Sequence, residues 1–169
     1  MMEEKKLSAP VRVIRTVYNI ISTVLIVLGA AVALLWIAGI RPYAVVSGSM
    51  EPGIKVGSVC VVNLNASYSK VKKGDIIAFK VGDGVLVTHR AVSITEDGII
   101  TKGDANNADD AAPVGKKDFV GKTLFSIPLV GYIITFIHTR HGLIASAAIL
   151  AAFILIGVAI PDKKREKKK

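Results

Sequence analysis

The chain has few of the residues that build disulfides, zinc sites and cysteine active sites. It holds one cysteine, Cys60, and three histidines in 169 residues. A lone cysteine excludes an intrachain disulfide, and its place in SVCVVNL is typical of a small buried apolar residue. No cationic or acid-base side chain is near it in sequence to activate a thiolate. One cysteine and one histidine in the middle of the chain cannot form a four-ligand zinc site without two carboxylates.

Charge is absent from two long apolar segments, residues 16–40 and residues 142–160. The first has 25 residues, more than the ~20 that cross a hydrocarbon core, and the second is just long enough. A cleaved signal peptide would have a shorter apolar region and a small-x-small cleavage site, which the first segment lacks. We therefore expect transmembrane helices over residues 16–40 and 141–160.

Positive charge is concentrated at the two ends of the chain. Residues 1–15 hold four Lys or Arg and residues 161–169 hold six, whereas residues 41–140 hold twelve. The positive-inside rule then predicts a cytoplasmic segment 1–15, an extracytoplasmic domain 41–140 and a basic cytoplasmic tail 161–169. This topology accounts for most of the net charge of +9, so nucleic acid is not needed as a partner.

The middle of the chain predicts a mainly β domain. Short β-rich runs alternate with Gly, Asp and Asn, and we expect strands over residues 58–64, 75–81, 84–94 and 98–103, with hairpin turns at 82–84 and 96–98. Residues 125–140 are apolar but contain Pro128 and Gly131, and we expect there a domain edge that dips toward the membrane. His138 and His141 are expected at that interface.

Alternation along a strand predicts which side chains share a face with the single histidine of this domain. One face of residues 85–94 carries Val85, Val87, His89, Ala91 and Ser93. Small and apolar neighbours are compatible with an ordinary half-buried histidine as well as with a catalytic one.

One serine lies in a setting that favours chemistry. Ser49 follows a glycine, precedes the turn-forming Glu51-Pro52-Gly53 and comes shortly after the first apolar segment. A serine hydroxyl needs a proton acceptor to act as a nucleophile, and His89 is the histidine available in the β domain.

An imidazole base also needs an orienting group, and the loop KGDANNADD offers Asp104, Asp109 and Asp110. Each could instead cap a turn or face solvent. A calcium loop is the other reading of these residues, but the spacing departs from the D-x-[DN]-x-[DN]-G pattern.

Three ordered motifs, SGSMEP, THRAVSI and TKGDANNADD, together resemble those of type I signal peptidases. The resemblance is to the archaeal and endoplasmic-reticulum branch, in which a histidine stands where bacterial enzymes have a lysine, and it covers roughly residues 41–131. It implies a signal-peptidase-like β domain with an N-terminal and a C-terminal transmembrane helix, and no cofactor.

The resemblance also assigns roles. Ser49 would be the nucleophile and His89 the general base, with Ser47 beside the oxyanion and Met50 next to the nucleophile at the substrate. Asp110 is favoured as the orienter and Asp104 as its support. Relatives usually have GDNN where this chain has GDAN, so Ala105 replaces an amide side chain.

The implied substrates are preproteins bearing N-terminal signal peptides, cut at a membrane surface, with lipid and the Sec translocation machinery as further partners. The implied location is the cell membrane, or the endoplasmic reticulum membrane in a eukaryote. Two alternatives remain open: a non-catalytic β domain that binds translocated segments or partner subunits, and a peptidase whose base is a lysine such as Lys80 or Lys102.

Overall fold

The computed structural model describes residues 9–160. These residues form three helices and six strands. In chain order the elements are α1 (Ala9–Ile37), β1 (Ile40–Ala44), β2 (Val59–Asn63), β3 (Ile76–Val81), β4 (Val85–Ile94), β5 (Ile99–Lys102), β6 (Phe119–Ile127), α2 (Val130–Ile137) and α3 (Arg140–Ala159), with a 3-10 turn at Tyr68–Lys70. The chain divides into two compact units, of which one is Leu35–His138 and the other holds the remaining residues of both ends.

α1 and α3 are each long and apolar enough to cross a membrane. They touch within their unit, where the rings of Tyr18 and Phe153 stack with centroids 4.7 Å apart. Gly157 lies against the Tyr18 hydroxyl, where any Cβ atom would overlap it. The two helices predicted from the apolar segments are thus present in the structure.

The bounds of the first helix differ from the expected 16–40. Within the described residues α1 covers Ala9–Ile37, and it ends at Ile37 because Gly39 adopts a left-handed φ of 72° and its N–H bonds the Trp36 carbonyl at 3.1 Å. Ile40 already belongs to β1, and the Gly39 carbonyl accepts from the Leu64 amide at 2.9 Å. The expected segments 1–15 and 161–169 lie partly or wholly outside the described residues.

The unit Leu35–His138 is built on one sheet of six strands in the order β1-β2-β6-β3-β4-β5, with antiparallel neighbours. The expectation of a mainly β domain is confirmed. The four expected strands correspond to β2, β3, β4 and β5, and both expected hairpins form.

Two strands were not anticipated, β1 and the central strand β6. β6 carries Gly121 and Lys122, which are poor strand formers, and it contains irregular pairings with both neighbours. The glycine is required, because a Cβ atom at Gly121 would overlap the Asn63 carbonyl of the adjacent strand.

The segment after β6, expected as a domain edge that dips toward the membrane, contains a short helix. The strand continues to Ile127, and after Pro128 the chain forms α2, which ends at Ile137. His138 follows as the C-cap, with its Nδ1 2.7 Å from the Ile134 carbonyl. Gly131 permits this helix to approach closely, since its amide bonds the Gly57 carbonyl at 2.9 Å.

Each face of the sheet packs against its own apolar cluster, because β3 alternates between them. The first cluster contains Val71, Ile77, Phe79, Ala91, Ile99 and Val114, with Val87 at its margin. The second contains Met50, Ile54, Cys60, Val62 and Ala78, with Leu86 at its margin. His89 therefore faces the first cluster and Met50 belongs to the second.

β4 changes partner halfway along its length. Residues Val85 to Arg90 pair with β3, and residues Arg90 to Ile94 pair with β5. A bulge between Ala91 and Ser93 interrupts the simple alternation expected for this strand, while the alternation from Val85 to Ala91 is kept. Among residues 9–160 the β5-side edge of Val85 to His89 is unpaired, so β4 presents an open edge that ends at His89.

Candidate active site

His89 lies in the middle of β4, on the face of the sheet that packs against the first cluster, and it is 8% exposed. Its ring meets that of Phe79 edge to face, with centroids 6.1 Å apart. Its Nδ1 atom is 2.7 Å from Oδ2 of Asp110. The sheet thus holds the imidazole between an aromatic ring and a carboxylate, with a defined orientation.

Asp110 is itself fixed by Thr101 of β5. The Asp110 amide donates to the Thr101 carbonyl at 2.8 Å, and the Thr101 hydroxyl donates to Asp110 Oδ2 at 2.6 Å. Thr101 is fully buried and pairs with Ala91 across the β4–β5 ladder. Thr101 was not predicted as a site residue, although it is the first residue of the TKGDANNADD motif and lies in a predicted strand.

Ser49 lies on a tight turn that is attached to the same loop as Asp110. The Ser49 carbonyl accepts from the Ala105 amide at 2.9 Å, and the turn closes with the Glu51 amide on the Gly48 carbonyl at 3.0 Å. The backbone of residue 105 makes this bond, so alanine in place of the amide residue of relatives does not remove it. Met50 is 2% exposed and places its side chain in the second core cluster, which anchors the turn.

The Ser49 hydroxyl is half-buried and lies 3.5 Å from the hydroxyl of the exposed Ser47. Within residues 9–160 no hydrogen bond joins Ser49 to His89. Catalytic hydrogen bonds are often long in a protein without substrate and shorten in the complex.

Asp104 points to a different partner, Arg90. The Arg90 guanidinium donates to both Asp104 oxygens, at 2.8 and 2.7 Å, and to the Gly74 carbonyl at 3.0 Å. The hydrogen bond to Asp104 raises the pKa of Arg90 above its usual value, against the opposing effect of burial. The Asp104 carboxylate lies directly under Gly53, so this ion pair supports the turn that carries Ser49.

The three aspartates of the loop are therefore distinct in position. Asp110 contacts the imidazole, Asp104 contacts Arg90, and Asp109 is exposed. Arg90 was the second residue that sequence reasoning missed, although it follows His89 in the THR motif. A residue next to a strand histidine lies on the opposite face, and this explains why Arg90 reaches Asp104 and not Asp110.

The two lysines considered as alternative bases lie elsewhere on the sheet. Lys102 pairs with Arg90 across the β4–β5 ladder, and Lys80 pairs with Leu86 on the β3–β4 hairpin. Lys80 is exposed at the margin of a cleft that also borders His89.

That cleft has a volume of about 620 Å³. Its walls are the end of the β3–β4 hairpin and the segment that follows Asp110, and its floor is apolar. Beyond His89 and Asp110, it is lined by Phe79, Lys80, Val81, Gly82, Gly84, Val87, Ala111, Ala112, Pro113, Val114 and Asp118.

Comparison with known proteins gives one consistent result. The family model described as "Signal peptidase, peptidase S26" matches residues 17–110. The chain is 37% identical over 123 residues to "Signal peptidase I W" of Bacillus subtilis, which covers 66% of this chain and 65% of the relative. It is 31% identical over 109 residues to "Signal peptidase complex catalytic subunit SEC11" of Metarhizium acridum, covering 57% of this chain and 63% of the relative.

The SEC11 subunit of Eremothecium gossypii is also 31% identical, over 128 residues, with 67% of this chain and 75% of the relative covered. The chain thus spans slightly less than two thirds of the length of the first two relatives. The matched residues include the serine turn, β4 and the loop that ends at Asp110, which are the parts that the structure brings together. The chain belongs to the signal peptidase family, peptidase S26.

Proposed function

We propose that the protein is a membrane-bound serine endopeptidase that removes N-terminal signal peptides from translocated preproteins. The observation that carries this proposal is the 2.7 Å contact between His89 Nδ1 and Asp110, in a loop whose Ala105 amide also bonds the Ser49 carbonyl. Family membership makes signal peptides the substrate class that fits this site.

In this mechanism His89 is the general base. With Nδ1–H donated to Asp110, the neutral imidazole carries its lone pair on Nε2, where it can accept the proton of the Ser49 hydroxyl. The Ser49 oxygen attacks the carbonyl carbon of the scissile bond, and the protonated His89 then donates to the leaving amine. Water, deprotonated by the same imidazole, hydrolyses the acyl-enzyme.

Ser47 and the backbone N–H of Ser49 are the proposed donors to the oxyanion. Each preorganised donor of this kind is worth ~3 kcal/mol in the transition state. Met50 is proposed to hold the turn in place. Its side chain is buried in the second core cluster, and this fixes the backbone next to Ser49. Asp104 acts through Arg90 and the turn, and it touches neither the imidazole nor the reacting atoms.

The substrate is proposed to bind as an extended strand along the open edge of Val85 to His89, which ends at the imidazole. Strand alternation makes the residues one and three positions before the cut face the same side, and the family resemblance implies small residues there. The second core cluster covers one side of this edge, and small side chains suit that side.

Membrane topology gives this site its substrate. We propose that α1 and α3 span the bilayer, with both chain ends cytoplasmic and residues 41–140 on the far side, as the distribution of positive charge indicates. Restricting the peptidase to the surface where signal peptides emerge from the Sec machinery raises its effective concentration there. The exposed apolar residues of α2, Tyr132, Ile133 and Phe136, are proposed to contact lipid.

The test is cleavage of a preprotein by the detergent-solubilised full chain. Ser49→Ala should abolish processing, whereas Ser93→Ala, an exposed serine at the far end of β4, should leave it unchanged. Full activity of Ser49→Ala would end the proposal. Binding of the preprotein without cleavage by the wild type would instead favour the non-catalytic β domain.

A second substitution tests the identity of the base. His89→Lys should be inactive, because a lysine at this position lacks the ring that joins Phe79 and Asp110 and carries a much higher intrinsic pKa. Near-normal cleavage by this variant would show that the base is another group.

A further inference from the structure

The cleft of about 620 Å³ beside His89 has no part in the chemistry described above. Its size is within the range of pockets that bind side chains or small ligands. The floor is formed by Phe79, Val87 and Val114, and one wall by Ala111 and Ala112. An occupant of this cleft would be an apolar group that lies against the His89–Asp110 pair.

The open edge of β4 directs a bound strand past this cleft. Val87 and His89 project from the same face of β4, and both line the cleft. Leu86 projects from the opposite face into the second cluster around Met50 and Ala78. A substrate strand added to this edge therefore sends successive side chains alternately to the face that holds the cleft and to the face covered by the second core cluster.

The face opposite the cleft is covered by the second core cluster. The family resemblance implies small residues at positions one and three before the cut, and such residues suit this covered face. The residue two positions before the cut must then point to the face of Val87 and His89, where the cleft lies. This assignment rests on the proposed function, because it needs a peptide cut at Ser49.

We infer that the cleft is a specificity pocket for the substrate residue two positions before the cleavage site, and that it favours a large apolar or aromatic side chain there. The apolar floor stabilises such a side chain by removing it from water. Lys80 and Asp118 at the margin leave the mouth of the cleft accessible to solvent.

The experiment measures kcat/KM of the detergent-solubilised full chain on peptides with alanine at positions one and three before the cut. The residue two before the cut is Gly, Ala, Leu or Phe. For the wild type, the Leu and Phe peptides should exceed the Gly peptide by about tenfold or more, the discrimination typical of an apolar pocket.

Two variants and a control assign that preference to the cleft. Ala112→Phe fills it and Val87→Thr makes its floor polar at constant volume, and both should lower the Leu-to-Gly ratio toward one. Ala108→Phe adds the same ring to an exposed alanine of the same loop that does not line the cleft, and it should keep the wild-type ratio.

Equal cleavage of all four peptides, by a wild type that still rejects leucine one position before the cut, would overturn the pocket while leaving the peptidase intact. A wild-type ratio in both Ala112→Phe and Val87→Thr would overturn it as well. No cleavage of any peptide or preprotein by the wild type would refute the proposed function itself, and the pocket with it.

Discussion

Gly53 supports the Ser49 turn by leaving room for the Asp104 carboxylate, and adding one methyl group tests this arrangement. A Cβ atom at Gly53 would lie 2.6 Å from Asp104 Oδ2, about 0.8 Å inside ordinary van der Waals contact. The φ of Gly53 is outside the left-handed region, so alanine meets no backbone strain and the effect comes from this contact. Gly53→Ala must displace the carboxylate, the turn, or both.

The expected loss follows from the ion pair that the methyl group disturbs. Hydrogen bonds to a charged group contribute ~1.5–3 kcal/mol. The Arg90 side chain is 36% exposed, so solvent screening reduces that value. Alanine recovers ~0.4–1 kcal/mol by restricting the unfolded chain. The free energy of unfolding should therefore fall by about 1 kcal/mol.

Activity should fall further than stability. The Ala105 amide, next to Asp104, holds the Ser49 carbonyl, so movement of Asp104 moves the nucleophile. A displacement near 1 Å at a reacting group can cost ~100-fold, and we expect kcat to fall at least ~10-fold. Thermal unfolding and preprotein cleavage by the detergent-solubilised full chain measure the two effects.

Gly115→Ala is the matched control, because its Cβ atom would meet Asp118 Oδ2 at an ordinary 3.6 Å. This variant should be as active as the wild type and at least as stable, because the same restriction of the unfolded chain is opposed by no close contact. If Gly53→Ala keeps the stability and the activity of Gly115→Ala, Asp104 does not support the Ser49 turn.

Three further predictions concern Thr101 beside the site, the buried Cys60 and the ion pair of Asp75 with Lys122. Thr101→Val removes the donor to Asp110 and should lower kcat and destabilise the protein by ~1–2 kcal/mol, whereas Thr101→Ser should restore both; unchanged activity in the valine variant would contradict the positioning role. Burial raises the pKa of Cys60 to about 11, so iodoacetamide at pH 8 should label it only after denaturation, and rapid labelling of the folded protein would refute its burial. Burial tends to raise the pKa of Asp75, but its hydrogen bonds, above all to Lys122, lower it below its usual range. That stabilisation is present above about pH 4 and is lost as the pH falls through the lowered pKa, so Asp75→Asn should cost ~0.5–1 kcal/mol at pH 7 and less near pH 2. An equal cost at both pH values would show that charge is not the cause.

Local patterns were sufficient for most elements of the fold. The charge-free segments indicated two helices, and β-rich runs between Gly and Asp turns indicated four strands and two hairpins. The bounds of α1 could not be read from hydropathy, because the helix ends where Gly39 turns the backbone and apolar residues continue into β1. β6 was not predicted because Gly121 is unfavourable in a strand by propensity. A glycine is needed at this position because the Asn63 carbonyl of β2 lies too close for a Cβ atom.

The membership of the candidate site was predictable, and the family resemblance favoured Asp110 as the partner of His89, but the pairing of Asp104 with Arg90 was not predicted. Ser49, His89 and a carboxylate of the loop were identified from residue type, turn chemistry and family resemblance. Thr101 and Arg90 were missed, since a buried threonine and a strand arginine carry no signal of their own until their partners are known.

The sequence by itself determined the two apolar helices, the mainly β middle and the set of residues able to do chemistry, because each depends on neighbours a few positions apart. Residue type left the three aspartates of the loop open, and the tertiary structure places Asp110, which the resemblance favoured, against His89 and Asp104 against Arg90. These aspartates share one irregular loop without a repeating period, so their directions depend on the register of β4 against β5 and on the docking of the Ser49 turn. Both are long-range contacts, whose geometry is set when the whole sheet packs.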